Sequence, residues 1–532
     1  MSAWTKLQGK STTYSVTLVK HIIGGIQTPA STTRNPQESA RWIAVGRAAA
    51  NDGRHDQALA CFKRAVEQDP DSAPAHFQLA REHYRRNNLP LAQAAFERAV
   101  ALRPDYPQAL NGLAVVMQLK GEWVTSEVLF RRAIEASPDF GAAMSSLGNT
   151  LFHLGRLAEA EQMFHSALGI DMNLREAHQG LGLLLHCEQR MDEAEQVCRG
   201  AVERWPNTAD LRLNLGLLLL ARDKYEEGWA CYEARHASSM SAEVRRQALP
   251  GGTPWAGQAL DGKSLHIVAE QGFGDMIQIV RYVPLLRRMG VSRLTLECAA
   301  PLRPLLQGME GIDELVKAAP AQFDYWCYTM SVPRLMRTDI SNIPATLPYL
   351  SAPAHRAEFA KALLGPRPAG VRRVGLVWKG MAANRHDAFR SLAALSSLSS
   401  LWSVPGVQFV SLQKGAGEEE AKSPPAGQAL LDAGTSLRDF ADTAAVIHEL
   451  DLVITVDTAV AHLAAALGKP VWLLLARRGL DWRWGIGRND SPWYPGVMRL
   501  FRQEQIGNWQ GVIDEVRAAL DALAAQGEAQ PQ

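Results

Sequence analysis

A spacing of 34 residues recurs along the chain from about Ser39 to Asn207. Four residue types keep this spacing in parallel, which chance does not produce over five units. The sets are Phe62, Phe96, Phe130 and Phe164; Ala65, Ala99, Ala133, Ala167 and Ala201; Leu79, Leu113, Leu147, Leu181 and Leu215; and Pro70, Pro104, Pro138 and Pro206. Cys198 and Tyr232 continue the phenylalanine set. Because one unit cannot bury its apolar face alone, the sequence predicts a stacked helical array.

The period and its residue pattern resemble the tetratricopeptide repeat (TPR) family. Ala or Gly follows each periodic leucine, as in Ala80 and Gly148, which lets the two helices of a repeat approach closely. Proline ends the second helix because it cannot continue a helix. We predict a flexible leader, rich in Ser and Thr, over residues 1–36. A TPR superhelix of five full repeats and a sixth helix pair is predicted over residues 37–238.

Charge and composition exclude several classes of partner. The chain has 56 Lys plus Arg against 55 Asp plus Glu, which gives no electrostatic reason to expect nucleic acid. No apolar run reaches the roughly 18 residues of a membrane span. The six cysteines form no CxxC pair and no zinc spacing, so reduced thiols are expected. We expect a cytoplasmic protein with no metal and no cofactor.

The sequence pattern changes after His236, where the helical period stops. β-type runs then alternate with helical runs, which indicates parallel sheets. We predict a linker over residues 239–263, one Rossmann-like α/β domain over 264–364 and a second over 371–525. The predicted strands are Ser264–Ala269, Arg293–Cys298, Val374–Trp378, Val407–Leu412, Leu452–Val456 and Val471–Leu475. The predicted helices are one from the Gly272 region to Met289, then Leu302–Met309, Leu437–Leu450 and Ala459–Leu467. Ligands bind at the carboxyl ends of strands in such sheets, so a cleft is expected there.

Two strand-to-helix junctions carry the candidate chemistry. The first has Gly272 and Gly274, where a substrate or backbone can approach closely, followed by Asp275. Asp275 has an alternative reading as a plain helix cap. In the second junction, Asp457 and Thr458 precede a helix whose first amides, including those of Ala459 and Val460, are suited to a pyrophosphate. An ordinary capped helix is the alternative there.

The two α/β domains together resemble the heptosyltransferase-like family 9 glycosyltransferases and their TPR-fused relatives. The resemblance covers roughly residues 260–520 and rests on motifs in a specific order. They are Gly272–Asp275, Val374–Trp378, Phe389–Leu392, Ser411–Gln413, Asp457–Leu467 with Gly468–Pro470, Asp481–Trp484 and Ser491–Tyr494.

This resemblance implies a two-domain GT-B fold and inverting, metal-independent transfer of a sugar from a nucleotide-diphosphate sugar. Asp275 matches the proposed catalytic base of the family, and the turn at Asp457 and Thr458 matches its donor phosphate site. Gln413 lies in a matching motif and is a further candidate to bind the donor or its phosphates.

The loop after Trp378 carries a basic residue for the diphosphate in this family. The candidates here are Lys379, Arg385 and Arg390. TPR-fused relatives commonly have Gly-Asn-Pro and a histidine in this loop, whereas this chain has Gly380-Met381-Ala382 and Asn384–Asp387. The departure puts the donor, and activity itself, in question.

The repeats suggest a protein or peptide as acceptor, because such arrays present extended concave surfaces. Protein O-GlcNAc transferases also join TPRs to a GT-B module and carry an asparagine ladder in the groove. In this chain the corresponding position is the one before the periodic leucine position of each repeat. Of six such positions, only Asn214 is asparagine. The sequence therefore argues against the same mode of peptide-backbone capture.

Several other residues near the motifs have two readings. Trp482, Trp484, Trp493 and Tyr494 form either an aromatic wall for a ligand or packing at a domain edge. Arg477, Arg478 and Arg483 suit either phosphates or a solvated face. His462 is favoured as structural. The segment from Tyr225 to Arg235 is expected to dock the last repeat on the α/β domains.

Two functions remain open from the sequence. The first is a glycosyltransferase that acts on a protein or peptide selected by the repeats. The second is a TPR scaffold whose nucleotide-sugar-binding module has lost turnover. If the repeats only select the acceptor, a chain beginning near Pro250 should fold and bind nucleotide by itself. The alternative is that the segment from Trp229 to Arg235 packs into the first α/β domain, in which case its removal exposes apolar surface and the shorter chain aggregates.

Overall fold

A computed structural model describes residues 34–238, 249, 251–381, 387–479 and 481–528. The density of internal contacts divides the chain into two compact units, residues 1–185 and 186–532. The predicted leader lies almost wholly outside the described residues, as do most of the residues between 239 and 250. None of the described helices is both long and apolar enough to span a bilayer.

Paired helices fill the described part of the chain up to Tyr232, as the 34-residue period predicts. They are α1 (Pro36–Asn51), α2 (His55–Gln68), α3 (Ala73–Arg85), α4 (Leu89–Leu102), α5 (Pro107–Leu119), α6 (Trp123–Ala136), α7 (Gly141–His153), α8 (Leu157–Ile170), α9 (Arg175–Cys187), α10 (Met191–Arg204), α11 (Ala209–Ala221) and α12 (Tyr225–Tyr232). The unit boundary falls inside α9, so the second unit contains α10 to α12.

The periodic phenylalanines lie under glycines of a paired helix. A Cβ atom added at Gly46 would lie 2.6 Å from the Phe62 ring, and one at Gly148 would lie 2.7 Å from the Phe164 ring. These rings are buried. Close helix contact therefore depends on the missing side chain, which explains why small residues recur on the same grid.

After the repeats, a five-stranded parallel sheet has the strand order β1-β5-β2-β3-β4. Its strands are β1 (Thr253–Pro254), β2 (Ser264–Val268), β3 (Arg293–Glu297), β4 (Glu314–Val316) and β5 (Tyr325–Tyr328). Its helices are α13 (Phe273–Ile279), α14 (Val283–Arg288), α15 (Arg303–Leu306), α16 (Val332–Leu335) and α17 (Ala357–Leu364).

A six-stranded parallel sheet follows, in the order β11-β10-β9-β6-β7-β8. Its strands are β6 (Arg372–Val377), β7 (Val407–Ser411), β8 (Leu430–Asp432), β9 (Leu452–Val456), β10 (Val471–Leu475) and β11 (Met498–Arg502). Its helices are α18 (Asp387–Arg390), α19 (Glu418–Lys422), α20 (Phe440–His448), α21 (Ala459–Ala466) and α22 (Gln510–Glu528). Both sheets are doubly wound, because the chain crosses over in both directions from β2 and from β6.

Two predicted helices are shorter in the structure. The helix predicted to reach Met289 divides into α13, a 3-10 turn at Val280–Tyr282 and α14. Pro284 lies at the start of α14, where it lacks the N–H that a continuous helix needs. The helix predicted over Leu302–Met309 is limited to α15, because the backbone becomes extended at Gln307 and Gly308 has a positive φ of 85°.

The strands at the sheet edges were missed by the sequence pattern, as was β5. Strand β1 falls inside the predicted linker, and it pairs in parallel with β5. It has only two residues, one of them proline, so it has no alternation to detect. The edge strands β4, β8 and β11 were not predicted either, and the first two have only three residues each. The remaining predicted domain boundaries stay predictions.

Candidate active site

The acidic loop follows β2, beside the point where the strand order of the first sheet reverses. Gly272 precedes α13, and its amide donates to Asp275 Oδ2 at 2.8 Å. The second carboxylate oxygen, Oδ1, accepts from Arg483 Nη2. The Asp275 side chain remains 15% exposed, so the carboxylate is fixed at both oxygens and still reaches the surface.

The two predicted junctions lie against each other. A Cβ atom added to Gly274 would lie 2.7 Å from His462 Cδ2 and 3.5 Å from Ala459 Cα. Helix α13 of the first sheet therefore packs on the start of α21, which follows β9 in the second sheet. Gly274 is required here for close approach, and the contact places Asp275 beside the predicted phosphate site.

Arg483 joins the acidic residues around this contact. Besides Asp275, its guanidinium donates to Asp481 Oδ2 at 2.7 Å and to Gln278 Oε1 at 2.5 Å. The residue is only 4% exposed. Burial lowers the pKa of Arg483, but Asp481 and Asp275 outweigh that effect and raise it above its usual value. Arg483 is a permanent buried cation at the site, not part of a solvated face.

The pKa of Asp275 lies above that of an ordinary aspartate. Burial is the largest cause, and Arg483 opposes it by favouring the ionised form, while Asp481 adds to the rise. The carboxylate is thus a better proton acceptor than an exposed aspartate and is held in place by a cation.

Asp457 lies at the carboxyl end of β9 among charged side chains. Burial, together with the nearby charge of Asp481, raises the pKa of Asp457 to about 6. Arg390, the Trp484 indole and Arg483 each favour its ionised form without cancelling the shift. A second carboxylate with altered proton affinity therefore lies on the second-sheet side of the site.

The start of α21 offers unused donors. Thr458 is the N-cap, and its hydroxyl lies 3.1 Å from Thr455 Oγ1 rather than on the helix. Within the described residues, the amides of Ala459 and Val460 donate to no protein acceptor. Such amides, with the helix dipole behind them, can hold an anion.

The structure gives Lys379 and Gln413 contacts away from a ligand. Gln413 Oε1 accepts from the amides of Trp378 and Lys379 at 2.9 and 3.0 Å. Its Nε2 donates to Ala416 O at 2.7 Å, so the side chain ties the ends of β6 and β7 together. Lys379 Nζ donates to Glu420 Oε1 at 2.6 Å. A phosphate would have to displace that pairing.

Among the predicted basic residues that the structure describes, Arg390 is the one with an electrostatic effect on a carboxylate of the site. Its charge acts on Asp457, and its own ion pair with Asp387 is long, at 3.5 Å. Arg385, the third candidate, lies outside the described residues. Among the predicted basic residues in the described part of the chain, Arg390 is therefore the one whose charge acts on Asp457.

The aromatic residues near the C-terminus are packing residues. Trp482, Trp484, Trp493 and Tyr494 are all buried, which favours the packing interpretation over a ligand wall. His462 Nδ1 lies 2.7 Å from Tyr494 Oη, and burial lowers its pKa well below the usual value.

The sequence did not show the roles of three site residues. Arg483 was considered for phosphates together with Arg477 and Arg478, Asp481 was named only as the start of a motif, and Gln278 was not named. Arg483 and Asp275 are 208 positions apart in the chain, so no local pattern could pair them. Among the described residues, no cluster of three His, Cys, Asp or Glu is arranged to hold a metal ion.

Comparison with known families agrees with this architecture. Residues 49–116 and 126–175 match tetratricopeptide repeat families, and residues 407–475 match glycosyltransferase family 9 (heptosyltransferase). The last match spans β7 to β10 and includes Gln413 and the start of α21. The chain thus combines tetratricopeptide repeats with a C-terminal segment, residues 407–475, that is similar to glycosyltransferase family 9.

Among characterised proteins, the chain is similar to protein FlbA of Caulobacter vibrioides. The two are 32% identical over 334 residues, which covers 58% of this chain and 54% of FlbA. The chain therefore spans about half the length of this relative.

Two solved structures, the first of them a TPR protein, are similar to part of this chain. TTC0263 of Thermus thermophilus is 24% identical, with 34% of this chain and 99% of that chain covered and a TM-score of 0.31. PilF of Pseudomonas aeruginosa is 19% identical, with 39% and 96% covered and a TM-score of 0.35.

Proposed function

We propose that this protein is an inverting glycosyltransferase that uses a nucleotide-diphosphate sugar and needs no metal. The observation that carries the proposal is the contact of Gly274 with Ala459 and His462, which brings an acidic loop and an anion-ready helix start together. The similarity to family 9 glycosyltransferases supports the reaction class.

Asp275 is the proposed general base. It accepts the proton of an acceptor hydroxyl while that oxygen bonds to the anomeric carbon of the donor. The bond from this carbon to the phosphate oxygen breaks, and its electron pair leaves with the nucleotide diphosphate. Arg483 keeps Asp275 ionised before the reaction, and burial makes proton acceptance easier.

The second sheet is the proposed donor side. Amides of Ala459 and Val460 at the start of α21 stabilise the charge that develops on the leaving diphosphate, with Thr458 as a further donor. Arg390 supplies a cation, and Arg385 stays a candidate for the same role. Lys379 and Gln413 are retained only as supports of the loop, because both are engaged within the protein.

The proposed acceptor is a protein or peptide bound by the repeats. TPR arrays form extended surfaces that suit such partners. YrrB, one of the similar solved structures, is described as a TPR protein with an unusual peptide-binding site. The acceptor proposal rests on the repeats themselves, and sugars or glycans are the competing acceptors.

The test compares two Asp→Asn variants in assays of donor hydrolysis and transfer with a panel of nucleotide sugars. Asp275→Asn should keep nucleotide binding and lose turnover by about 10²- to 10⁴-fold, the usual value of general base catalysis. Asp313→Asn is the matched control, because Asp313 also pairs with an arginine, Arg287. It precedes β4 of the same sheet and therefore lies away from the carboxyl ends of the strands, where Asp275 lies. Full turnover by Asp275→Asn would rule out its role as base.

The pairing of Lys379 with Glu420 favours a second candidate function, a scaffold that binds nucleotide sugar without turnover. Calorimetry separates the two functions. Nucleotide binding with no transfer to any acceptor supports the scaffold, and transfer at enzymatic rates excludes it.

A further inference from the structure

The last repeat helix touches the acidic loop through two polar contacts. Tyr232, at the end of α12, accepts a hydrogen bond from Gln271 Nε2 at 2.7 Å. Arg235, in the following turn, donates to both oxygens of Glu270 at 3.0 and 2.8 Å. Glu270 and Gln271 come directly before Gly272. These contacts therefore hold the two residues that set the position of the loop.

Gln271 has a backbone that needs such support. Its φ angle is +60°, in the left-handed region that side chains other than glycine rarely adopt. Surrounding contacts must stabilise this conformation for it to persist. The hydrogen bond to Tyr232 is the contact that fixes the Gln271 side chain while its backbone makes the turn.

The Glu270 carboxylate connects the turn after α12 to the ends of two neighbouring strands, β2 and β5. It accepts from the Met330 amide at 2.8 Å, just after β5, while Glu270 itself follows β2. Arg235 also donates to Ser331 Oγ at 2.8 Å. Arg235 is 1% exposed and the Glu270 side chain 2%, so this ion pair is fully buried at the strand ends that form the site.

A second route leads from α12 to the other side of Asp275. Trp229 donates to Thr338 O at 2.9 Å, and its ring packs edge-on against Trp482 at 5.0 Å between centres. Trp482 is followed by Arg483, which binds Asp275 Oδ1. Helix α12 therefore contacts both the loop that carries Asp275 and the segment that carries its cation.

We infer that the end of α12 is part of the catalytic apparatus, with Tyr232 and Arg235 as positioning residues for Asp275. The inference rests on the proposed function. It extends that function by making a repeat helix necessary for the geometry of the base as well as for acceptor selection. A small displacement of a reacting group is enough to lower a rate strongly, so loss of one support should be measurable.

The test uses the full chain and the substitution Tyr232→Phe, which removes the oxygen that binds Gln271 and keeps the ring. We expect kcat to fall about tenfold, with the KM for the nucleotide sugar unchanged, because the donor contacts lie on α21. Tyr282→Phe is the control. It also removes one buried hydroxyl contact, of 2.8 Å to Thr338 Oγ1, but does not touch the loop.

A double-mutant cycle with Gln271→Met identifies the bond responsible. If Tyr232 acts through Gln271, the double variant should be no slower than the slower of the two single variants. Multiplied effects would mean that Tyr232 acts by general stability alone and would overturn the inference.

Hydrogen exchange of the amides from Gly272 to Asp275, measured without substrate, keeps the inference separate from the proposed function. Exchange should become faster in Tyr232→Phe and stay at the wild-type rate in Tyr282→Phe. If wild-type protein transfers no sugar, the proposed function fails and the exchange result alone decides whether α12 holds the loop. Equal exchange in the two variants overturns the inference, whatever the activity.

Discussion

The repeat unit and the α/β unit obtain their packing in different ways. In the first unit, contacts recur as copies: Phe96 lies against Gly112 in the same way as Phe164 lies against Gly180. In the second unit, the central contact is unique and joins Asp275 to Arg483, 208 positions away. In a periodic fold, each kind of contact therefore leaves several copies of its residue pattern in the sequence. In a site assembled from two sheets, each contact occurs once and leaves no repeated pattern.

Helix α12 belongs to both kinds of packing. Tyr232 occupies the sixth position of the phenylalanine grid, so its ring follows the repeat pattern. Its hydroxyl binds Gln271, and Trp229 and Tyr232 share one apolar core with the first sheet. The repeat register predicts where this helix lies, but only the structure shows that it supports the acidic loop.

The largest expected effect comes from removing α12. The expectation that a chain beginning near Pro250 folds by itself disagrees with the buried contacts of Trp229 and Arg235. Such a chain would expose the apolar core that Trp229 and Tyr232 help to form and would lose the ion pair of Arg235 with Glu270. We expect aggregation or loss of cooperative melting, measured by light scattering and circular dichroism.

A chain beginning at Glu188 is the control, because it keeps α10 to α12 with the sheets. It should melt cooperatively and bind nucleotide. If the shorter chain binds nucleotide equally well, the two units are more independent than the contacts of α12 indicate.

Much of the fold could be predicted from residue patterns. Strands β9 and β10 were predicted to the residue, since both are short apolar runs between turn signals. The positions of Asp275 and Thr458 at strand ends followed from the same patterns. The region of the cleft was therefore predictable, because the carboxyl ends of parallel strands share one edge.

The pairing of side chains within the site could not be predicted. Gln413 was assigned to the donor but braces the β6 and β7 ends, and its residue type fits both roles. Lys379 is similarly paired with Glu420. A polar side chain can pair with any of several partners that are distant in the sequence. A local sequence pattern does not show which of these partners it binds.

The next largest effect is expected from Arg235→Met. The substitution keeps most of the apolar stem but leaves Glu270 buried and uncompensated, at a cost of about 3–5 kcal/mol. Burial already raises the pKa of Glu270, and Arg235 opposes that rise. Without Arg235 the folded pKa increases further, so the variant should lose stability as the pH rises and regain it as Glu270 protonates in acid.

Adding Glu270→Gln to Arg235→Met supplies the control, since it removes the uncompensated charge. We expect the melting temperature of the double variant to recover most of the loss and to lose its pH dependence. Equal melting of the single and double variants would show that the ion pair does not hold the junction.

A smaller effect, of opposite sign, is expected for Asp457→Asn. The folded pKa of Asp457 is about 6, above the ordinary value of 3.8, so its stabilising contribution is complete below about pH 4 and is lost as the pH rises through 6. Asparagine imitates the neutral form. The variant should therefore be more stable than wild type above pH 7, by about 3 kcal/mol, and equal to it near pH 4.

Asp490→Asn is the control for Asp457→Asn, because Arg488 lowers the pKa of Asp490 and no gain at high pH is expected. Nucleotide binding should also strengthen in Asp457→Asn at pH 8, since a negative charge beside the Ala459 and Val460 amides is removed. Identical melting of Asp457→Asn and wild type from pH 4 to pH 8 would contradict the shifted pKa.

The smallest effect tests the repeat side of the comparison. Gly112→Ala places a methyl group 2.4 Å from the Phe96 ring, so the ring must move, at a typical cost of about 1–3 kcal/mol for overpacking. Alanine also gains up to about 1 kcal/mol over glycine inside a helix. We expect a net loss of about 1 kcal/mol, measured as a fall of a few degrees in the thermal melt.

Gly169→Ala separates the overpacking cost from the helix-propensity gain, because nothing lies within 4 Å of an added Cβ atom at that helical position. It should be neutral or slightly stabilising, and neither variant should change nucleotide binding, since both lie in the first unit. If Gly112→Ala melts like Gly169→Ala, the phenylalanine grid tolerates extra volume, and the periodic glycines do not set the spacing of the helices.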